Sequence, residues 1–303
     1  MTLNESAAAP LQALAALPGV TESHVAGARI LDCTRGGLEA GRQLALVCLA
    51  GLGEVTFAAG ELGNVLRVAS ESPVRACLAS QYAGWAISVG KYFAMGSGPM
   101  RAAYGKEALY DDIGCRESPP MAVGVLETRK PPTPEAIAYI AERVKLPAEK
   151  LTLAFAPTAS VAGTIQVVAR SLETALHKLH ELKFDLSRVV QGQGAAPIPA
   201  VAKDDLSAIG LTNDVILYGG EVTLWLTGDD ASLREVGPRV PSSSSPSHGS
   251  RFADLLKAAG GDFYKLDPML FSPAVVTLVN VDTGWSGTFG RMEPELVRQA
   301  RGD

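Results

Sequence analysis

Apolar residues in "VVARSLETALHKLHEL" recur at helical spacing: Val168, Leu172, Ala175, Leu179 and Leu182 fall on one side of a 3.6-residue helix. The stretch from Gly163 to Lys183 therefore reads as one helix with a core-facing stripe. Its other side carries Gln166, Arg170, Glu173 and His177 in a near-straight line. Helices are also expected in the Ala- and Leu-rich N-terminus, in "SPVRACLASQYAG" and in "TPEAIAYIAERVKLP". In the last of these Thr133 caps, Pro134 and Glu135 fill the first turn, and Pro147 lies past the end. "GARILDCT", "EVTFAAG", "WAISVGKYFAMGSGP" and "KLTLAFAPTAS" read as strands. "LALVCLAGLG" reads as a strand or a buried segment, and "VVQGQGAAPIPAVA" as extended chain. "NDVILYGGEVTLWLTG" reads as a hairpin turning at Gly219-Gly220, and "SPAVVTLVNVDTGWSGTFG" as another. Residues 237–250, "GPRVPSSSSPSHGS", read as a surface loop too polar to pack. The pattern predicts a mixed α/β (α+β) fold in two α/β domains, residues 1–120 and 121–303, the second allowed to be discontinuous.

Composition narrows the function. Of 303 residues, 47% are hydrophobic and 19% charged, below the usual quarter, which suits a chain that buries much of its surface. The net charge is −5, from 27 basic and 32 acidic residues, with no basic run, so nucleic acid is an unfavourable partner. Cys33, Cys48, Cys77 and Cys115 form no CxxC pair and match no zinc spacing; they read as buried thiols in a reducing compartment. The N-terminus lacks the basic region of a signal peptide, and no apolar run reaches the roughly 18 residues of a membrane span. A soluble cytoplasmic protein is expected.

Three candidates for chemistry stand out. In "MGSGPMRA", Gly96 and Gly98 permit close backbone approach to a ligand, and Pro99 opens a helix whose amides could hold an anion. Lys91, Arg101 and Lys106 would supply the positive charge of a phosphate site, yet no nucleotide fingerprint is present, and a plain strand-to-helix turn fits as well. His177 and His180 share a helical face but lack further ligands, so no metal is assigned. No GxSxG raises a serine hydrolase. Arg170 and Glu173, three apart, can meet. On helix geometry alone they make a solvated surface pair; under a covering layer, an Arg-held carboxylate could polarise a water for attack on an electrophile.

"GKYFAMGSGPMRA", "APTASVAGTIQVVARSLETALHKL", "TNDVILYGGEV" and "DFYKLDPMLFSPAVV" together resemble the methenyltetrahydromethanopterin cyclohydrolase family. The likeness runs from "DCTRGGLEAG" to "GTFG". It implies reversible hydrolysis of 5,10-methenyltetrahydromethanopterin to the 5-formyl compound, in formaldehyde oxidation or a methanogenesis-type pathway. It implies no metal or prosthetic group, and a cytoplasmic homotrimer of two-domain subunits with a cleft between domains. The family's R-x-x-E falls on Arg170 and Glu173, which the resemblance makes the catalytic pair. The matching segments offer Lys91, Tyr92, Gly96, Ser97, Gly98, Thr158, Ser160, Asn213 and Asp214 as substrate contacts. The rivals are a phosphate-ligand enzyme built on the Gly96–Pro99 turn and a non-catalytic oligomeric pterin-binding protein.

Overall fold

The computed structural model describes residues 1–261 and 265–302. Asp262, Phe263 and Tyr264, which open one of the family-like stretches, lie outside the described residues. The chain divides into two compact units: Met1–Gly53 with Arg75–Gln166, and Glu54–Val74 with Val167–Asp303. Among the described residues each unit carries a six-stranded mixed sheet, so the expected α/β class holds.

The first sheet uses β1 (Thr21–Val25), β2 (Ala28–Asp32), β5 (Trp85–Val89), β6 (Tyr92–Ser97), β7 (Ala122–Glu127) and β8 (Leu151–Ala156), in the order β1-β2-β8-β7-β6-β5. β2, β8 and β7 run parallel; the outer strands pair antiparallel. Alternation along these strands fills two separate cores. Ile30, Leu126, Leu153 and Phe155 pack with Ile137 and Ile140 of the helix Pro134–Val144. Leu31, Val123, Val125 and Ala154 pack with Leu11, Leu14, Leu44 and Val47 of the helices Ala8–Ala15 and Leu38–Cys48. Near-continuous burial of β7 and β8 follows from having helices on both faces.

The second sheet uses β3 (Glu54–Gly60), β4 (Gly63–Ser70), β9 (Val189–Pro197), β10 (Glu221–Leu226), β11 (Val275–Asn280) and β12 (Ser286–Gly290), in the order β12-β11-β10-β9-β4-β3. Only β10 and β11 run parallel. Leu66, Val68, Leu224, Val276 and Leu278 are buried, while their alternates Arg67, Thr223 and Thr277 stay at least partly exposed. The sheet thus has one covered and one open face. These pairings redraw the expected division at residue 120. β7 and β8, which fall within the expected second domain 121–303, complete the first sheet, and the hairpin β3–β4 from the expected first domain joins the second.

Several expected elements change. "LALVCLAGLG" belongs to the helix Leu38–Cys48 and its end, "SPVRACLASQYAG" forms a π-helix, Val74–Gln81, and "WAISVGKYFAMGSGP" is a hairpin rather than one strand. The expected hairpin at Gly219-Gly220 is the helix Asp205–Gly219 followed by β10. Asp204 caps that helix by accepting from Ser207 N at 2.8 Å, and a Cβ on Gly220 would stand 2.5 Å from the Ile216 carbonyl. The glycine pair therefore ends a helix. The serine-rich segment keeps much of its length exposed, as a surface loop does, with Ser243, Ser244 and Pro246 among its exposed residues, but it is anchored: Ser242 is fully buried and donates to the Leu217 carbonyl at 2.5 Å, and Ser245 donates to Asp267 at 2.5 Å. Its buried serines have specific partners, which composition alone does not show.

Candidate active site

The stretch 163–183 is two helices, Val161–Val168 and Ser171–Glu181, broken at Ala169-Arg170. Arg170 has φ −89° and ψ 6°, its N–H bonds back three residues to Val167 at 3.0 Å, and its carbonyl accepts from Thr174 at 2.9 Å. The straight line of Gln166, Arg170, Glu173 and His177 is therefore not maintained, because it assumed one unbroken helix. Arg170 flanks the second helix and Glu173 sits in its first turn, where the helix dipole favours a carboxylate. Both are buried, at 6% and 5% exposure, which excludes the solvated surface pair.

The second helix packs directly on β9. A Cβ on Gly192 would meet Leu172 Cδ1 at 2.7 Å, and one on Gly194 would meet the Ser171 hydroxyl at 2.7 Å. "QGQG" thus places two glycines, two residues apart, on the helix-facing side of a strand. Val168, Leu172, Ala175 and Leu179 of the expected stripe are fully buried and Leu182 partly so, but Leu176 and Lys178, outside the stripe, are fully buried as well. His177 Nε2 and His180 Nδ1 lie 3.9 and 3.8 Å from Glu181 Oε1. Among the described residues no three His, Cys, Asp or Glu side chains gather as a metal site.

In the first unit the end of β6 enters a buried polar cluster. Gly98 has φ +85°, open to glycine, and its N–H bonds the Ser80 carbonyl at the end of the π-helix, 2.8 Å away. The Ser97 hydroxyl lies 3.5 Å from Cys48 Sγ, and Cys48 Sγ donates to Gln166 Oε1 at 3.8 Å. Cys48, Ser80 and Gln166 were not expected as a group, because three elements distant in sequence bring them together. Single π-helical turns, which recur at functional sites, leave no simple spacing signal.

The other expected contacts lie on several elements, Lys91, Tyr92, Thr158 and Ser160 in the first unit and Asn213 and Asp214 in the second. Lys91 is exposed in the β5–β6 turn, and Tyr92 packs in the core with Trp85 and Ile87; burial raises its hydroxyl pKa. Along the strand they lie roughly 20 and 16 Å from Ser97. Ser160 donates to the Pro157 carbonyl at 2.8 Å and accepts from Gly163 N at 3.0 Å, and the Thr158 carbonyl accepts from Thr164. These two shape the entry to the helix Val161–Val168. Asn213 donates to the Ile209 carbonyl at 2.8 Å. Asp214 accepts from Phe252 N at 2.8 Å, capping the helix Phe252–Ala258, and burial pushes its carboxyl up to about 6.

The Gly96–Pro99 turn is not built for phosphate. The Arg101 and Ala102 amides bond the Gly98 and Pro99 carbonyls at 3.1 and 3.0 Å. Arg101 is fully buried, grips Glu107 through two bonds of 2.9 and 2.5 Å, and donates to the Leu78 carbonyl at 2.9 Å. Its charge is already committed. Gly96 itself is buried, with a Cβ there standing 2.9 Å from Met100 Cε. One further hollow, of about 400 Å³, lies on the open face of the second sheet between Glu54, Arg67, Gln193, Glu221 and Thr223.

Comparison with known proteins adds a family. The model described as Cyclohydrolase (MCH) matches residues 11–300. Methenyltetrahydromethanopterin cyclohydrolase of Methylobacillus flagellatus is 44% identical over 294 residues, covering 95% of this chain and 90% of that protein. The protein of the same name from Methylosinus trichosporium is 43% identical, over 83% of this chain and 98% of its own. That of Methanosarcina mazei is 40% identical, over 91% and 89%.

Proposed function

The chain belongs to the cyclohydrolase (MCH) family, and on that premise we propose that it reversibly hydrolyses 5,10-methenyltetrahydromethanopterin to the 5-formyl compound, with Glu173 as the base. The burial of Arg170 and Glu173 together at the start of one helix carries the residue assignment. A buried carboxylate is stable as an anion only when paired or hydrogen-bonded, and a guanidinium three residues away suits that need.

The substrate holds a carbon between N5 and N10 as a cationic amidine, already electrophilic. Glu173 takes a proton from water as the oxygen bonds to that carbon, leaving a neutral hydroxyl adduct. Glu173 then returns the proton to N10 as the carbon–N10 bond breaks. The hydroxyl proton leaves to solvent, the formyl group stays on N5, and one proton is released overall. The charge of Glu173 also favours the cationic substrate over the neutral product. Arg170 keeps the carboxylate ionised and aimed. In this scheme no step calls for a prosthetic group, and a cytoplasmic homotrimer is the working form the resemblance implies. Among the described residues no helix is long and apolar enough to cross a membrane.

The test follows loss of methenyl absorbance on adding the protein. Glu173→Gln is expected to keep the fold, to bind the cationic substrate somewhat more weakly, and to lose about two to four orders of magnitude in kcat. Turnover at the wild-type rate in this variant would remove Glu173 from the base role. Binding without turnover in the wild type would leave a pterin-binding protein.

A further inference from the structure

We propose that Lys178 is a positioning residue: its buried amine rivets the helix that carries Arg170 and Glu173 to the serine segment and to the turn at Met269, and so fixes where Glu173 stands. The inference rests on the reading of Glu173 as the base.

Lys178 lies in the helix Ser171–Glu181, five residues after Glu173, and is fully buried. Lysine is almost never found so unless its charge is held. Its Nζ donates to the Ser244 hydroxyl at 3.0 Å and to the Met269 carbonyl. Ser244 in turn donates to the Arg239 carbonyl at 2.7 Å. Met269 N donates to Asp267 at 3.0 Å, and Asp267 also accepts from Ser245. One amine therefore ties together three elements, each held by further bonds. Its direct acceptors are neutral oxygens, so the site gives the charge little return for leaving water. A leucine or methionine would satisfy the surrounding core at lower cost. What an apolar side chain cannot supply is direction: Leu172, Leu176 and Leu179 set which face of the helix is inward, while hydrogen bonds of defined length resist its sliding.

The charged groups that act on the amine are Asp267, which favours its protonated form, and Arg239, which opposes it; burial outweighs both and brings the amine down to about 8. Deprotonation above that value removes one of its donors and the charge that strengthens the others. The rivet weakens within the range of an activity assay.

The experiment compares wild type, Lys178→Met, Lys178→Arg and Ser244→Ala between pH 6.5 and 9.5, reading kcat, KM and backbone amide exchange in residues 171–182. Wild-type kcat is expected to fall above about pH 8. Lys178→Met should lower kcat about tenfold or more with KM nearly unchanged, speed exchange in the helix, and lose the alkaline fall. Lys178→Arg should recover most of kcat and carry the fall beyond the range. Ser244→Ala, which leaves the core intact, should act in the same direction to a smaller extent. Wild-type kcat, pH profile and exchange in Lys178→Met overturn the proposal. If that variant does not fold, the same three results in Ser244→Ala overturn it. Glu173→Gln is run alongside: wild-type turnover there sinks the base assignment, and amide exchange then still decides whether Lys178 holds the helix.

Discussion

A Cβ at position 194 would stand 2.7 Å from the Ser171 hydroxyl oxygen and 2.8 Å from the Leu172 nitrogen. The strand that supports the candidate site thus touches the start of its helix at a distance only glycine allows. The Leu172 contact is backbone and cannot swing aside, so Gly194→Ala must push the helix start away from β9. We expect a loss of about 1–3 kcal/mol in stability and a fall in kcat that exceeds the change in KM. Gly192→Ala faces side-chain ends, Leu172 Cδ1 at 2.7 Å and Leu224 Cδ2 at 3.1 Å, and should cost less on both counts. Thermal melts and steady-state kinetics on the two variants check this; equal effects would mean that the close approach at Ser171 does not position the pair.

Local chemistry was legible where one element carried its own signals. Thr133 caps its helix by accepting from Ala136 N, as the Thr-Pro-Glu start implied, and β11 and β12 form the expected hairpin. The R-x-x-E pair stood out from sequence, but its burial did not, since the period of a helix says nothing about what covers its outer face. The break at Arg170 lacks a proline or glycine, so helical periodicity ran straight through it. Parallel pairing of β2 with β8, over a hundred residues apart, is a tertiary choice that no local pattern encodes. That pairing is what shifted the domain division.

Arg170 is expected to act with Glu173 as one device. Arg170→Lys keeps the charge but loses the fork that can hold both carboxylate oxygens, so kcat should fall about tenfold or more. Arg170→Met should fall further. The double variant Arg170→Met, Glu173→Gln should be little worse than Glu173→Gln alone, because an orienting group has nothing left to orient. A double-variant cycle in kcat/KM measures this, and strictly additive losses would separate the two residues.

Asp214 supplies a pH test of the second unit. Burial first of all, with Asp254 adding, lifts its carboxyl from 3.8 to about 6, against the opposing bond from Phe252 N and the charge of Arg251. A carboxyl raised in the folded state contributes stability that is complete below pH 3.8 and is lost as pH rises through 6. Asp214→Asn keeps an acceptor for the Phe252 N–H and cannot titrate. Its stability relative to wild type should therefore climb between pH 4 and 7, by on the order of 3 kcal/mol at most. Urea melts at pH 4, 5.5 and 7 check it; a difference that stays constant with pH would mean that Asp214 keeps an ordinary pKa.

The last prediction concerns the turn that first looked like a phosphate site. Arg101 is sealed between Glu107 and the Leu78 carbonyl, with the Tyr82 and Tyr110 rings 5.0 and 5.6 Å from its guanidinium. Glu107 is less enclosed, with 17% of its side chain exposed. Removing the arginine strands a partly exposed carboxylate and the Leu78 carbonyl, whereas removing the glutamate's charge strands the guanidinium, which is the more deeply buried of the two. Arg101→Met should therefore cost about 3–5 kcal/mol, and Glu107→Gln a comparable amount. Adding Glu107→Leu to Arg101→Met should recover part of the loss, because a stranded charge is worse than an apolar pair. Thermal melts on the three proteins check this. Inorganic phosphate should leave the wild-type melting temperature unmoved, since the guanidinium and the Gly98, Arg101 and Ala102 amides already have partners; a rise that Arg101→Met abolishes would reverse the reading of this turn as structural.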